Sequence, residues 1–227
     1  MIKVHHLNNS RSQRVLWLLE ELGLPYEVIR YERDAKTMLA PAALRAVHPL
    51  GKSPVIDDGG RVLAESAAIL EYLVERYDGK HDFSPPPPSE PDAPERLRYR
   101  YWLHYAEGSA MPPLLLSLVF SRLKQAPMPF FAKPIARGIA DKAMASFVGP
   151  QLKLHLDFME GELGKSEWFA GDRFTAADIQ MSFPVEAAAV RGDFSERPRL
   201  RAFLDRIHAR PAYQRALEQG GPFTVGR

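Results

Sequence analysis

The sequence predicts an α/β domain followed by an all-helical domain, and three observations support this. Up to residue 81, short strand-like runs alternate with helical periodicity. The stretch SPPPPSEPDAPE at 84–95 then places six prolines in the eleven positions from Pro85, which excludes a helix interior or a central strand. Beyond it only helical periodicity recurs. We therefore expect a sheet-containing domain over 1–81, a stiff linker over 82–94 and a helical domain over 95–227.

Two strands and a helix open the chain. MIKVHHL has the length of a strand, and the run 26–31 has the composition of another. A connection long enough to hold a helix joins parallel strands, so we expect a βαβ unit. Gly23 ends the intervening helix, whose apolar stripe comprises Val15, Leu18, Leu19 and Leu22.

Further elements complete the first domain. A short irregular stretch at 42–47 precedes a strand at 54–57, a DDGG turn and a strand at 61–64. A helix is predicted over 66–77, with Ile69, Leu70 and Leu73 facing inward. With the stretch at 42–47 counted as a helix, the order is βαβ, α, ββα, which gives a mixed four-stranded sheet.

The second domain is predicted to contain several helices. The first runs from about residue 95 to 124, is interrupted or kinked at Pro112 and Pro113, and precedes the loop APMPFFAKP. Thr175 and Asp178 fit a reciprocal capping box ahead of an apolar run, and we interpret this motif as structural. The remaining helices are predicted up to about residue 164 and near 175–190, 198–208 and 211–219.

Composition argues against several kinds of function. The 30 basic and 28 acidic residues are interspersed and give a net charge of only +2, so we expect no nucleic-acid or anionic-lipid surface. The chain has no cysteine, so any sulfur chemistry requires a thiol from another molecule. The histidines lack metal-binding spacing, and no stretch approaches the roughly 18 apolar residues of a membrane span. A soluble, cytoplasmic protein without a membrane segment or a metal is expected.

The first polar motif is NNSRSQR at 8–14. Ser10 stands between the first strand and the first helix, where unpaired N–H groups and the helix dipole favour an anion. A hydroxyl directed at the same point can donate to a thiolate. The alternative is that Asn9, Ser10 or Ser12 only caps the helix, which is the commonest role of these residue types.

The second motif is HPLGKSPVI at 48–56. Gly51 permits a tight turn, Lys52 offers a cation, and Ser53 precedes Pro54 at the start of a strand. A cis bond at Pro54 would expose the main chain of Ser53 to an extended ligand. Only about 5 to 6 per cent of such bonds are cis, so the sequence alone favours an ordinary trans turn.

The third motif is AESAAIL at 64–70. Ser66 at a helix N-cap can present its hydroxyl to a carboxylate, while Glu65 can hold an ammonium group, although a plain cap is the simpler interpretation. Together the three motifs offer binding groups for a carboxylate and for an ammonium group, a strand-like backbone edge and an anion-stabilising turn. A γ-glutamyl tripeptide thiol requires all of these.

These motifs make the chain similar to the cytosolic glutathione transferases over nearly its whole length. The resemblance depends on the order of elements, on SRSQR with its serine four residues before arginine, and on HPLGKSPV, ESAAILEYL and FTAADI. The run HHLNNSRSQRVLWLLEELGLPYE followed by HPLGKSP is most similar to the fungal and bacterial, Gtt1-like branch. The resemblance implies a thioredoxin-like N-terminal domain, an all-helical C-terminal domain, a homodimer and glutathione as co-substrate.

The resemblance also implies roles for individual residues. It makes Ser10 the donor to the glutathione thiolate, although Asn8, Asn9 and Ser12 lie close enough in sequence to compete and Arg11 can also bear on the site. The implied glutathione-binding residues are Lys52 for the glycyl carboxylate, Ser53 before a cis Pro54 for the cysteinyl main chain, and Glu65 and Ser66 for the γ-glutamyl group.

Three functions are compatible with this sequence. The enzyme conjugates glutathione to small hydrophobic electrophiles, or it reduces disulfides or peroxides with two glutathiones, or the chain is a non-catalytic scaffold of the same fold. The electrophile is expected against the helical domain. Candidates for its apolar wall, which are equally compatible with a helix core, are Trp102, Tyr105, Ser109, Phe120 and the loop 128–131.

Overall fold

The computed structural model describes residues 1–34, 37, 39–85, 93–191, 194–221 and 223. Four strands form one sheet in the order β2-β1-β3-β4, with β1 parallel to β2 and antiparallel to β3, and β3 antiparallel to β4. The predicted mixed sheet is confirmed. Its strands are β1 (Ile2–Leu7), β2 (Tyr26–Tyr31), β3 (Val55–Asp58) and β4 (Arg61–Ala64). The third strand starts one residue later than predicted, because Pro54 has no N–H to contribute to the ladder.

The helices of the first half are α1 (Ser12–Leu22), α2 (Ala42–Val47) and α3 (Ser66–Tyr77). The stretch predicted as irregular is thus a six-residue helix, α2. Gly23 ends α1 in the left-handed conformation, with φ 63°, as predicted. α1 is apolar on most of its surface because it lies between the sheet and the helical half. Its fully buried apolar residues are Val15, Leu16, Trp17, Leu18 and Leu19.

In the second half, the regular elements among the described residues are helices joined by loops. π-helical turns occupy 106–110 and 144–148. The helices are α4 (Pro94–Tyr105), α5 (Met111–Gln125), α6 (Lys133–Ala143), α7 (Gly149–Glu162), α8 (Ala176–Arg191), α9 (Pro198–His208) and α10 (Pro211–Gly220).

The predicted interruption at Pro112 and Pro113 takes the form of a π-helical turn just before them. Neither proline can donate to the carbonyl four residues earlier. The Met111 N–H instead donates to the Ala106 carbonyl five residues back, so that α4 and α5 continue through 106–110 without a break.

The capping box at the start of α8 is structural, as predicted. Asp178 Oδ2 accepts the Thr175 N–H at 2.9 Å, and Asp178 Oδ1 accepts the Phe169 N–H at 2.8 Å. The carboxyl is fully buried, and burial raises its pKa to about 7 against the effect of these donors. Asp178 therefore joins the start of α8 to the preceding loop.

The last helix returns to the first half of the chain. Arg210 makes two hydrogen bonds to Glu21, at 2.5 and 2.9 Å, and Tyr213 packs edge-on against Trp17 with ring centroids 5.1 Å apart. Gly220 allows close approach, because a Cβ there would lie 2.9 Å from Leu16 Cδ1. α10 thereby holds α1 against the sheet.

The linker predicted over 82–94 lies largely outside the described residues, and its boundaries stay a prediction. On its near side, Asp82 N–H and Phe83 N–H both donate to Asp78. Among the helices of the described part, none combines the length and apolar character that crossing a bilayer requires.

Candidate functional site

Three strand ends meet at one edge of the sheet. β1 ends at Leu7, and β3 begins beside it at Val55 because the two strands run antiparallel. β4 pairs Ala64 with Val55, so Glu65 and Ser66 follow at the same edge. A cavity of about 490 Å³ opens there, between the sheet and helices α5 and α8. The topology therefore brings together three motifs that are far apart in the sequence.

Ser10 lies in the wall of this cavity, with its side chain 5 % exposed. Its Oγ is 2.7 Å from Ser12 Oγ and 3.3 Å from Ser53 Oγ. α1 begins at Ser12 and its cap position is Arg11, with no side-chain cap. The cap position is therefore none of Asn9, Ser10 and Ser12, although Ser10 Oγ accepts the N–H of Ser12, the first residue of α1, at 3.3 Å. Ser10 instead belongs to a hydrogen-bond network that reaches the cavity.

The network continues inward to His6. Ser12 Oγ lies 2.8 Å from His6 Nδ1, and both side chains are buried. Burial lowers the pKa of His6 to about 4, against the effect of a hydrogen bond with the Gly220 backbone. The imidazole is therefore neutral at neutral pH, with one ring nitrogen as donor and the other as acceptor. A chain of three side chains connects the cavity wall to the interior.

Ser53 ties the second motif to the first strand. Its Oγ donates to the His5 carbonyl at 2.9 Å and accepts the Leu7 N–H at 3.2 Å. The Ser53–Pro54 peptide bond is cis, as the family resemblance implied and contrary to the commoner trans form. Pro54 itself is buried and does not line the cavity.

The turn before Ser53 requires glycine. Gly51 has φ 55°, and a Cβ there would lie 2.5 Å from Arg45 Cγ. This turn places Lys52 and Arg45 in the cavity wall, and both side chains are exposed. Lys52 thus lies where the sequence predicted a cation.

The third motif lies beside the cavity, and neither of its residues belongs to the lining. Glu65 is exposed and holds the cap position of α3 with φ 71°. Ser66 is the first residue of the helix, so its prediction as the N-cap is wrong. Its side chain is buried, and its Oγ accepts Gln180 Nε2–H at 3.3 Å. Gln180 of α8 therefore holds Ser66 of this motif through a hydrogen bond on the side away from the cavity.

The far wall of the cavity differs from the expected one. Trp102 and Tyr105 are buried in the helix core, and the Tyr105 hydroxyl is 2.6 Å from His155 Nδ1. Neither these residues nor Ser109, Phe120 or the loop 128–131 contributes to the lining. The apolar wall lies further along α5 and on α8, and comprises Met111, Leu114, Leu115, Leu118, Phe183 and Ala187.

The cavity is basic. Sequence reasoning identified only Lys52 and Arg11 near the site, and none of the described lining residues is acidic. The six cationic lining residues are Arg11, Arg33, Arg45, Lys52, Arg122 and Arg191. A signal in the sequence was present, since Arg122 and Arg191 each follow apolar residues at spacings of four and eight.

A buried ion pair supports the wall beside Ser10. Glu107 accepts from Arg11 Nε at 2.8 Å and from Arg14 at 2.5 Å. Arg14 is 1 % exposed, and burial lowers the pKa of its guanidinium to about 10 while Glu107 opposes this. The guanidinium carbons of Arg11 and Arg14 lie 4.7 and 5.0 Å from the centre of the Phe183 ring. Arg11 is thereby held at the cavity with its charge compensated.

The fold and the site define a class of protein: an α/β half of the thioredoxin type, with a cis-proline beside its cavity and a helical half across it. Residues 10–76 match the family model for the glutathione S-transferase N-terminal domain, and 121–211 match that for the glutathione S-transferase C-terminal domain. The chain belongs to the glutathione S-transferase family and is a glutathione transferase enzyme.

Fungal and bacterial proteins are among its relatives. Glutathione S-transferase 3 of Schizosaccharomyces pombe is 40% identical over 222 residues, covering 96% of this chain and 88% of that protein. Glutathione S-transferase 1 of Saccharomyces cerevisiae is 39% identical over 198 residues, covering 84% and 82%. A glutathione S-transferase structure from Actinobacillus pleuropneumoniae has a TM-score of 0.80 at 34% identity, covering 98% of this chain and 94% of that one. The predicted family and branch are confirmed.

Proposed function

We propose that this enzyme conjugates glutathione to small electrophiles with an apolar body, and that Ser10 holds the thiolate. One observation carries the proposal: the Ser10 hydroxyl lies in the wall of a cavity whose opposite side is the apolar face of α5. A sulfur bound at Ser10 therefore faces the surface on which an apolar electrophile would lie.

The surroundings of Ser10 favour a thiolate. A cysteine thiol has a pKa of about 8.5, and lowering it by about two units requires roughly 2.7 kcal/mol of preferential stabilisation of the anion. One charge-assisted hydrogen bond and the N-terminus of a helix supply energies of this size. The hydroxyl of Ser10 and the start of α1 provide both at one point. Bound thiolate then attacks the electrophile without an ionised side chain of the protein acting as nucleophile.

We assign the rest of the tripeptide to the same edge of the sheet. Lys52 binds the glycyl carboxylate, and the main chain of Ser53 before cis Pro54 pairs with the cysteinyl backbone. Glu65 and Ser66 bind the γ-glutamyl ammonium and carboxylate. β4 pairs Ala64 with Val55 of β3, so the segment after Ala64 lies beside the segment before Val55. This adjacency of the two glutathione-binding segments supports the assignment.

The proposal extends to the assembly and location of the protein. We assign it to the cytoplasm as a homodimer, with the domain boundaries at 82–94. Sedimentation equilibrium at micromolar concentrations tests the dimer, and a sedimenting species of 25.6 kDa contradicts it.

The test compares wild type with Ser10→Ala and with Asn9→Ala, a neighbour that also lines the cavity. We expect capture on immobilised glutathione and turnover of a chlorinated nitroaromatic by wild type. Losing a charge-assisted hydrogen bond should reduce kcat/KM of Ser10→Ala by about 10- to 100-fold. A larger loss in Asn9→Ala would assign the thiolate to Asn9. Turnover of bis(2-hydroxyethyl) disulfide alone would establish a reductase, and capture without any turnover would establish a scaffold.

A further inference from the structure

Helix α6 exposes its large apolar side chains and buries its small ones. Ile135 and Ile139 are 65 % and 58 % exposed, whereas Ala140 is fully buried and Ala136 is half-buried. A helix on the surface of a globular protein usually has the reverse arrangement, with its large apolar residues packed on the core. The packing of α6 within the chain therefore does not account for its isoleucines.

The exposed apolar surface extends to both sides of α6. Phe130 and Phe131 precede the helix, are 84 % and 66 % exposed and pack edge to face, with ring centroids 5.7 Å apart. Phe147 follows the helix and is also exposed. We call Phe130, Phe131, Ile135, Ile139 and Phe147 the apolar patch. Large apolar side chains that cluster in this way at a surface usually mark a site of interaction.

Cations without partners accompany the apolar patch. Lys133, Arg137 and Lys142 are exposed, and none of their side chains makes an ion pair or a hydrogen bond with the residues that the structure describes. The one acid in the sequence from 126 to 148 is Asp141, which pairs with Lys124 of α5. The patch therefore combines apolar groups with positive charge that is free to meet an anionic partner.

The positions of these cations are those of a helix that lies at a membrane surface. Lys142 follows Ile135 by seven residues and shares its face, whereas Lys133 and Arg137 lie on the opposite face. Interfacial helices bury phenylalanine and aliphatic side chains below the lipid headgroups and carry Lys and Arg on the polar face. The eleven residues of α6 extend about 16 Å, too short for the roughly 30 Å of a hydrocarbon core, so α6 can lie along a bilayer but cannot cross it.

A second copy of the chain fits this patch less well. A twofold axis would place the patch against itself, and its cations would meet cations, because its one acid already pairs with Lys124. The proposed homodimer has another apolar surface to use. It lies on α4 and α7, where the exposed rings of Tyr101 and Phe158 pack with their centroids 6.4 Å apart.

We propose that the apolar patch docks on the surface of an anionic lipid bilayer, with Lys133, Arg137 and Lys142 at the lipid phosphates. The near-neutral charge of the whole chain predicted no anionic-lipid surface, and the local arrangement around α6 departs from that expectation. Docking of this kind is reversible and is compatible with a cytoplasmic protein. The inference does not depend on where the thiolate lies, because no residue of the patch lines the cavity.

Co-sedimentation with vesicles tests the charge requirement. We expect wild type to bind vesicles of equal parts phosphatidylglycerol and phosphatidylcholine about 10- to 100-fold more tightly than vesicles of phosphatidylcholine alone. Added NaCl should weaken this preference, because salt screens exposed charges. In Lys133→Gln/Lys142→Gln the preference should fall about fivefold or more. The control Lys3→Gln/Lys80→Gln removes two exposed lysines outside the patch and should keep it.

A second pair of variants tests the apolar requirement. Phe131→Gln/Ile135→Gln should bind the anionic vesicles at least about tenfold more weakly than wild type, because two apolar side chains no longer enter the bilayer. The control Val62→Gln/Val190→Gln removes two exposed apolar side chains from β4 and α8 and should bind as wild type does. Thermal unfolding shows that each variant is folded.

Fluorescence tests whether the patch itself meets the lipid. Trp17, Trp102 and Trp168 are buried, so the variant Phe130→Trp adds an exposed indole at position 130. We expect its emission to shift to shorter wavelength when anionic vesicles are added, and to be quenched by brominated lipid. Wild type should show neither change. The absence of both changes in the variant, at a lipid concentration that sediments it, would place the lipid contact elsewhere and overturn the proposal.

Three further results would overturn it. They are no binding of wild type to anionic vesicles at millimolar lipid, equal binding to the two kinds of vesicle, and undiminished binding of Phe131→Gln/Ile135→Gln. If wild type does not bind vesicles and sedimentation equilibrium gives this variant a lower mass than wild type, the patch is an interface between copies of the chain.

Discussion

His6 Nδ1 lies 2.8 Å from the Ser12 hydroxyl, in the interior directly behind Ser10. Ser12 has one hydrogen and two close partners, because its Oγ is also 2.7 Å from Ser10 Oγ. If Ser12 donates to His6, the Ser10 hydrogen is directed inward to Ser12. If His6 donates to Ser12, Ser12 donates to Ser10, and the Ser10 hydrogen is available to Ser53 or to the cavity. The tautomer of a buried histidine therefore sets the direction of the Ser10 hydroxyl.

We expect Ser12→Ala to reduce stability more than it reduces activity. The change leaves the buried Nδ1 of His6 without a partner, which should lower the free energy of unfolding by about 1–3 kcal/mol. Ser12 is fully buried and does not line the cavity, so kcat/KM should fall less than in Ser10→Ala. Urea titration and steady-state kinetics measure the two quantities. An equal or greater kinetic loss than in Ser10→Ala would place the thiolate donor at Ser12.

His6 should make stability depend on pH below neutrality. Burial lowers its folded pKa to about 4, below the ordinary value of 6.5, so the unfolded chain binds more protons between these values. From pH 6.5 to pH 5 the free energy of unfolding should fall by about 2 kcal/mol on this account, with no further gain above neutrality. Chemical unfolding across this range should show a smaller slope for His6→Asn. A matched change at an exposed histidine, His104→Asn, should keep the wild-type slope.

Two glycine-to-alanine changes should have opposite effects. In Gly220→Ala the new Cβ would lie 2.9 Å from Gln13 Oε1 and Leu16 Cδ1 and 3.1 Å from His6 Cε1, so we expect a loss of about 1–3 kcal/mol. A Cβ added at Gly138 in α6 would meet no atom within 4 Å, and alanine there should stabilise the helix by about 0.5–1 kcal/mol. Thermal unfolding compares the two. A Tm for Gly220→Ala at or above that of wild type would show that α10 shifts freely on α1.

Glu107→Gln should be strongly destabilising. It leaves the buried guanidinium of Arg14 without its anion, which typically costs about 3–5 kcal/mol. The control is Glu167→Gln on the exposed surface, for which we expect a change within about 0.5 kcal/mol. Denaturant unfolding measures both. Equal stability of the two variants would mean that Arg14 finds another partner or takes up solvent when Glu107 is neutral.

Much of the fold is predictable from local sequence. The bounds of α3 and β4 agree with the prediction because each is limited by a strong local signal, a turn of two glycines or a serine before an apolar stripe. The conformation of the helix at Pro112 and Pro113 was harder to predict. The prolines predict a missing hydrogen bond, but whether the helix breaks or widens depends on the neighbours that hold α4 and α5 in line.

The candidate site was likewise predictable only in part from local sequence. Ser10, Lys52 and Ser53 were identified from short motifs and do line one cavity. Trp102 and Tyr105 were equally compatible with core and cavity, because a helical stripe does not reveal which neighbour it meets. Arg33 lies outside every motif, and only the tertiary structure places it in the same cavity wall as Arg122.

The sequence by itself determined the order of strands and helices, the three polar motifs and the need for a thiol from outside the chain. These depend on spacing and composition, which act over a few residues. The tertiary structure decided that the peptide bond before Pro54 is cis, that Ser12 and His6 lie behind Ser10, and that arginines of α5, α8 and the segment after β2 line the same cavity. The residues that line this cavity lie up to 184 positions apart in the sequence, from Leu7 to Arg191, and only the packing of helix faces on the sheet brings them to one cavity.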